Sequence, residues 1–468
     1  MKRNLFLLLG IIVFALNSCT LAPKYSRPAS PVPAQWPTGA AYSETKTAAS
    51  APAIPDIPWR EFFTDERLQQ VITTALNNNR DLRVAALNVE RARALYGIQR
   101  ASLLPAVNAT GSAVKTLVPA DLSTTGYSMV SQQYSVNLGI SSWEIDFFGR
   151  IRSLKDQALE QYFATEDARR SAQISLVSTV AQAYLSLAAD RENKRMAAST
   201  LETQEASYKL IRKRYDVGIA SELDLQQAQS QVDTARVDVA RYTQLTAQDE
   251  NALSLLVGSS LPSDLLPADL NSVSPPKDIS PGLSSELLLR RPDILAAEHQ
   301  LKAANANIGA ARAAFFPNIS LTTAIGTTSA DLSGLFKAGQ GTWSFAPQII
   351  MPIFDARTWS AYDVTKADKE ISVAQYEKAI QTAFREVSDA LAVKGTLNQQ
   401  IAAQQSLVDA VAETYRLSNA RYTKGIDSYL GVLDAQRSLY GAQQGLIVLR
   451  LARLVNQVTL YMALGGGE

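Results

Sequence analysis

The chain has 468 residues with 45 Lys+Arg against 44 Asp+Glu, a length that suits two or three domains and a balance that offers nucleic acid no electrostatic footing. One cysteine and one histidine exclude disulfides within the chain and Cys/His zinc sites, and leave histidine-based catalysis a single candidate. Hydrophobic residues make up 46%, enough for a large core, yet no run of eighteen apolar residues occurs, which excludes a bundle of transmembrane helices.

In chain order, Met1-Lys2-Arg3 gives a positive start and residues 5–16 an apolar stretch too short to span a bilayer, the pattern of an export leader over 1–18. Leu16-Asn17-Ser18-Cys19 follows and resembles the bacterial lipobox, whose cysteine is acylated and becomes the first mature residue. Cys19 is therefore the expected lipidation site, and the lipobox implies the several acyl chains that durable anchoring needs. The expected compartment is the outer membrane and periplasm of a Gram-negative cell.

Eight of the 19 prolines fall between Ala22 and Pro58, so residues 19–60 are expected to be an extended, hydrogen-bond-poor tether. A second breaker-rich patch over 262–283 divides the rest into repeats 61–261 and 284–468. The repeats share text. Asn79-Arg80-Asp81-Leu82 resembles Arg291-Pro292-Asp293-Ile294, and Arg214-Tyr215-Asp216-Val217-Gly218 matches Arg421-Tyr422-Thr423-Lys424-Gly425. Each repeat reads as helix, two strands, long helix, turn and helix.

Residues 150–217 contain neither Gly nor Pro, so they predict one helix of roughly 100 Å at 1.5 Å per residue. Gly218 ends it and a second helix runs over 221–257; 356–424 and 428–464 repeat the pair. Leu225, Ala228, Val232, Ala235, Val239 and Tyr242 follow a 3-4 spacing, as do Val432, Ala435, Leu439, Ala442, Leu446 and Leu449. Ile174, Val177, Ala181, Tyr184 and Ala188 do the same on the first long helix. Such seams predict supercoiled packing with close helix approach at the alanines.

Strands are expected after Pro105 and Pro317. Tyr134, Val136, Leu138 and Ile140 alternate with polar or small residues, and the phase then switches to Trp143, Ile145 and Phe147, which predicts a bulge. Ile319, Leu321, Thr323 and Ile325 alternate likewise, as do Trp343, Phe345, Pro347, Ile349, Met351 and Ile353. About ten residues with one apolar face suit a transmembrane β-strand. The aromatics Trp143, Phe147, Phe148, Phe315, Phe316 and Phe354 lie near strand ends, and residues 119–131 and 327–342 read as external loops. Four strands cannot close, and a bilayer tolerates no open edge, so other copies must complete the wall. Two copies would give eight strands and a filled lumen; three would give twelve and room for water.

The leader, the Pro-rich tether, the duplicated halves, Arg-Tyr-x-x-Gly twice and Leu433-Asp434-Ala435-Gln436-Arg437 together resemble the TolC-like outer membrane factors, in particular the lipoprotein branch serving resistance-nodulation-division (RND) efflux systems. That resemblance implies a mixed α/β membrane protein. Its fold would be a trimeric twelve-strand transmembrane β-barrel, continued by a long periplasmic α-helical coiled-coil barrel. It implies a homotrimer in outer-membrane lipid, a periplasmic adaptor (membrane fusion) protein at its tip and an inner-membrane RND transporter. It also places Tyr215, Gly218, Tyr422 and Gly425 at adaptor-contacting hairpin tips, and Leu430, Asp434 and Arg437 at a periplasmic gate. The last three share one helical face off the Val432 seam. Threefold repetition would make Leu430 an apolar collar and Asp434 an anionic ring.

No Walker A, G-x-S-x-G, H-E-x-x-H or clustered acidic metal motif appears, so neither an enzyme nor a cofactor or metal site is expected. His299 reads as a surface or inter-helix residue. The leading expectation is a passive exit duct for drugs or other small toxic compounds. The alternatives are a lipid-anchored periplasmic scaffold without a pore, and a duct for protein secretion.

Overall fold

A computed structural model describes residues 20–42, 57–279 and 284–467. The leader and Cys19 lie outside them, as do residues 43–56 of the Pro-rich segment and 280–283 of the expected linker. The chain runs through α1 (Trp59–Phe62), α2 (Glu66–Asn78), α3 (Arg80–Ala101), β1 (Val107–Val118), β2 (Met129–Glu144), α4 (Arg150–Asp216) and α5 (Glu222–Val257). It continues through α6 (Pro292–Ala313), β3 (Asn318–Ser329), β4 (Gly341–Ile350), α7 (Ala356–Thr423) and α8 (Tyr429–Ala463). Contacts divide it into two units, one holding the sheet (1–29, 88–165, 296–376) and one mostly helical (30–87, 166–295, 377–468).

The four strands form one antiparallel sheet in the order β1-β2-β3-β4. Directly paired residues share a face, which sorts the side chains. Val107, Ile140, Thr323 and Phe345 make one row, and Ala109, Leu138, Ile325 and Trp343 the next. On the other face the corresponding rows are Asn108, Gly139, Ala324 and Ser344, then Thr110, Asn137, Gly326 and Thr342. One face is apolar and the other polar or small. The expected bulge is present: Ile140 pairs with Thr323 but Trp143 with Leu321, so β2 takes three steps where β3 takes two. Ser142 sits there at φ 51°, and its N–H donates to Thr322 Oγ1 at 3.1 Å. The extra residue returns Trp143 to the apolar face, which a continued alternation would have denied it.

The strands depart from the sequence reading at both ends. β1–β2 and β3–β4 pair further into the Gly/Ser/Thr-rich connectors, leaving 119–128 and 330–340 as loops, because Thr- and Val-containing segments there still find ladder partners. β4 stops at Ile350, since Pro352 supplies no N–H to a ladder. Met351, Ile353 and Phe354 thus lie beyond the strand and are exposed. Phe148 stacks on Phe316 at 4.9 Å and Phe315 packs edge-on to Trp359 at 4.7 Å, so these aromatics gather at the helix-bearing end of the sheet.

The described stretch 20–39 of the Pro-rich segment is extended, yet it is docked, against the hydrogen-bond-poor expectation. In the sheet-bearing unit, Asn305 and Arg312 donate to the carbonyls of Pro23 and Leu21 at 2.7 and 3.2 Å. Glu298, only 3% exposed, accepts two bonds from Arg27 (3.0 and 2.6 Å) and one from the Tyr25 hydroxyl (3.0 Å). In the helical unit, Ser285 bonds to Pro33 and Ala34, and Trp36 stacks on Phe384. Proline removes donors but not carbonyls, and those carbonyls are used.

In the helical unit the expected seams are internal. Ile174, Val177, Ala181, Tyr184 and Ala188 of α4 are all buried, as are Leu225, Ala228, Val232 and Ala235 of α5 and Val432, Ala435 and Ala442 of α8. Val239, Leu439, Leu446 and Leu449 are half-buried. Helices α4 and α8 each hold a stretch apolar enough by composition to cross a membrane. Both also carry these seams, so packing against neighbouring helices accounts for their apolarity.

Candidate gate and channel wall

The helix-to-helix turns are built the same way twice. Gly218 adopts φ 78°, its N–H donates to the Tyr215 carbonyl at 2.9 Å, and the Ile219 N–H reaches the Arg214 carbonyl at 2.8 Å. Gly425 (φ 73°) bonds to Tyr422 at 2.9 Å, and Ile426 to Arg421 at 3.0 Å. These are Schellman caps, whose left-handed residue is usually glycine because it adopts positive φ without the strain an L side chain adds. Arg-Tyr-x-x-Gly is therefore a cap signature, and its repetition fixes two equivalent turns.

The residues around the caps have diverged. Ser221 and Asp224 form a reciprocal capping box at the start of α5. Ser428 makes no side-chain cap at the start of α8, where Gly431 replaces the acidic residue. That turn carries instead an Arg421–Asp427 ion pair at 2.5 Å, and the arginine's hydrogen bond holds the Asp427 carboxyl below its usual range. Tyr422, half-buried, lies under the Arg214 guanidinium at 5.1 Å and tilts against Tyr429 at 5.1 Å. Ile211, Leu225, Ala228, Tyr429, Val432 and Leu433 form one buried cluster, so the two hairpin ends are packed together within the chain. Tyr215 stays partly exposed, and Ile219 and Ile426 are exposed at 73% and 58%.

Leu430, Asp434 and Arg437 share the face of α8 opposite its buried seam. Leu430 is 47% exposed, and Arg437 bonds to Asp434 at 2.5 Å with both side chains in solvent. The duplication places Leu223, Gln227 and Ser230 at the corresponding α5 positions. Leu223 is 66% exposed, a second tip leucine that the repeat offset signals and that the gate set Leu430/Asp434/Arg437 omits. His299 pairs with Glu160 at 2.6 Å and lies against Phe163, an inter-helix placement.

The wall is the sheet itself. Its apolar face leaves Leu138, Ile325, Trp343, Phe345 and Ile349 more than half exposed. Along β2 the band from Trp143 to Tyr134 would be roughly 20 Å tall once strands tilt, close to the apolar height of an outer-membrane barrel. Gly139 and Gly326 face the other way. A β-carbon there would meet the Thr323 carbonyl at 2.3 Å and the Val136 carbonyl at 2.1 Å, so the close approach of β2 and β3 on this face requires glycine at both positions.

The profile of the family described as "Outer membrane efflux protein" matches residues 71–259 and 283–466. The chain belongs to the outer membrane efflux protein family. It is 53% identical over 463 residues to the toluene efflux pump outer membrane protein TtgC of Pseudomonas putida, covering 98% of this chain and 95% of that one. Among solved structures, a membrane protein from Pseudomonas aeruginosa matches with a TM-score of 0.89 at 43% identity, over 96% of this chain and 98% of that one. The open state of the MtrE outer membrane channel of Neisseria gonorrhoeae matches at 0.85 and 39%, with the same coverage. As an efflux protein of this family, the chain is an outer-membrane channel component.

Proposed function

We propose that three copies close one twelve-strand barrel and form a passive exit duct, with energy supplied by a partner pump. The observation that carries this reading is the sheet: one apolar face, one polar face, and, among the described residues, outer edges on β1 and β4 with no partner strand. In hydrocarbon each unsatisfied backbone group costs several kcal/mol, so those edges must pair with other copies. Eight strands would leave a lumen filled by side chains, whereas twelve leave a water path. Cys19 would carry the lipid anchor. The exposed isoleucines and capped turns around Tyr215, Gly218, Tyr422 and Gly425 suit docking by a periplasmic adaptor linked to an inner-membrane RND transporter. Leu430, Asp434 and Arg437 would narrow the periplasmic end.

Kinship with a toluene efflux component points to small apolar toxic compounds as cargo. Passage needs no binding pocket, only a polar lumen wide enough to pass what the pump delivers. Planar bilayers test the reading: purified protein should give discrete conductance steps that rise when Asp434 and Arg437 are both changed to Ala. Silent bilayers from folded, oligomeric protein, with or without those changes, would remove the duct.

A further inference from the structure

A cavity of about 470 Å³ lies where the bend between α2 and α3 meets α4, a size in the range of small-molecule sites. Arg80 and Arg83 of α3 and Arg169 of α4 line it, together with Asn77, Asn78 and Gln173. No carboxylate does. Asp81, between the two α3 arginines in sequence, is not part of the lining. Among the described residues, the Arg80 and Arg83 side chains make no ion pair, and Arg169 donates only to Gln173 Oε1, at 3.3 Å. Gln173 thereby keeps its amide N–H groups for another acceptor. The adjacent Arg170, by contrast, pairs with Asp167 at 3.6 Å.

The duplication supplies the contrast. In the second repeat the same bend reads Arg291-Pro292-Asp293-Ile294, and Leu295 stands where the first repeat has Arg83. Its one arginine, Arg291, is 8% exposed and is neutralised by Asp293 at 2.7 Å and Glu386 at 3.0 Å. One bend holds a single cation between two carboxylates; the other gathers three cations with none. Guanidinium groups around one cavity repel one another, and a bound anion removes that repulsion. Their planar N–H forks suit oxyanions, taken two bonds at a time. One carboxylate, with two oxygens and one charge, falls short of three such forks. A phosphate monoester offers three oxygens and about two charges at neutral pH. We propose that this cavity binds a small soluble phosphate, free or as a monoester, through Arg80, Arg83 and Arg169, with Gln173 and the two asparagines as neutral donors. Every lining residue belongs to the helical unit and none to the unit that holds the sheet, so the ligand is a dissolved anion rather than a lipid headgroup. Once bound, it ties α3 to α4.

Calorimetric titration of the full-length lipoprotein in detergent tests it, with inorganic phosphate and, separately, glycerophosphate, each against chloride at the same ionic strength. Saturable binding of phosphate is expected, and tighter binding of glycerophosphate would assign the site to the monoester. Arg83→Gln and Arg169→Gln should each weaken binding about tenfold or more, and Arg93→Gln, off the cavity, should leave it unchanged. Thermal melting in chloride alone gives a second readout. Arg83→Gln should not lower the melting temperature there, because it removes a repulsion and no bond. Absence of saturable binding by either anion, or binding that survives both Arg83→Gln and Arg169→Gln, would overturn the site. So would a melting temperature that Arg83→Gln lowers in chloride, since a carboxylate would then already neutralise these arginines. Each of these results leaves the duct standing, which conductance tests separately.

Discussion

Leu138 on β2 lies directly opposite Ile325 on β3, and both are more than half exposed although they sit mid-strand in a well-paired sheet. Water is a poor solvent for such a row, and lipid is a good one. Ile325→Arg should therefore cost the inserted protein about 2–4 kcal/mol, the cost of a cation near the bilayer midplane. Thr110→Arg, on the polar face, should cost well under half of that. Denaturant titration from lipid vesicles reads both; equal costs would contradict the assignment of faces.

Asp434 and Arg437 are both in solvent, so their ion pair stabilises the fold by at most about 0.5 kcal/mol. Changing either to Ala should leave the melting temperature nearly unmoved while altering conductance. Three Asp434 carboxylates around a lumen would favour cations. Asp434→Ala should shift the reversal potential in a KCl gradient towards zero. An unchanged reversal potential would place Asp434 off the permeation path.

Glu298 clamps the N-terminal segment. Burial alone would raise its pKa, but hydrogen bonds from Arg27 and Tyr25 and the charge of Lys302 outweigh that and hold it below the usual value. A carboxyl with a depressed folded pKa contributes stability that is present above its unfolded pKa and is lost as pH falls through the folded one. Glu298→Gln should cost about 1–3 kcal/mol at neutral pH and less in acid. It should also raise hydrogen exchange at residues 20–29. Protection that survives the change would mean the segment is held by its backbone bonds alone.

Asp249 works in the opposite direction. Burial, and then the neighbouring Asp190 charge, raise its pKa to about 6. An acid with a raised folded pKa contributes stability that is fully present below its unfolded pKa and is lost as pH rises through about 6. Asp249→Asn should therefore raise the melting temperature at pH near 8 and have little effect near pH 4. A melting temperature lowered at both pH values would show that the carboxylate is held by partners.

The apolar sheet face was legible because alternation and its phase switch at Ile140 are local signals, and the bulge followed from them. The α4, α5 and α8 seams were legible for the same reason, since spacing alone writes them. The docked N-terminal segment was not. Its partner Glu298 lies 271 residues from Arg27, and no periodicity records an isolated buried carboxylate. β1 was weakly marked because small Ala109, Gly111 and Ala113 and the cation Lys115 occupy its apolar face, while Val114 interrupts the Asn, Thr and Ser of its polar one. At the tips, Arg-Tyr-x-x-Gly announced the two turns. It did not announce that Tyr422 would be covered by Arg214 while Tyr215 stays open, because that asymmetry arises from packing between hairpins.

The most direct test of closure by neighbouring copies is native mass spectrometry of the lipidated protein extracted in mild detergent, with bilayer conductance recorded from the same fractions. A species of three chains that alone conducts is the predicted result. Conductance from a single-chain or two-chain fraction would contradict a wall shared by three copies.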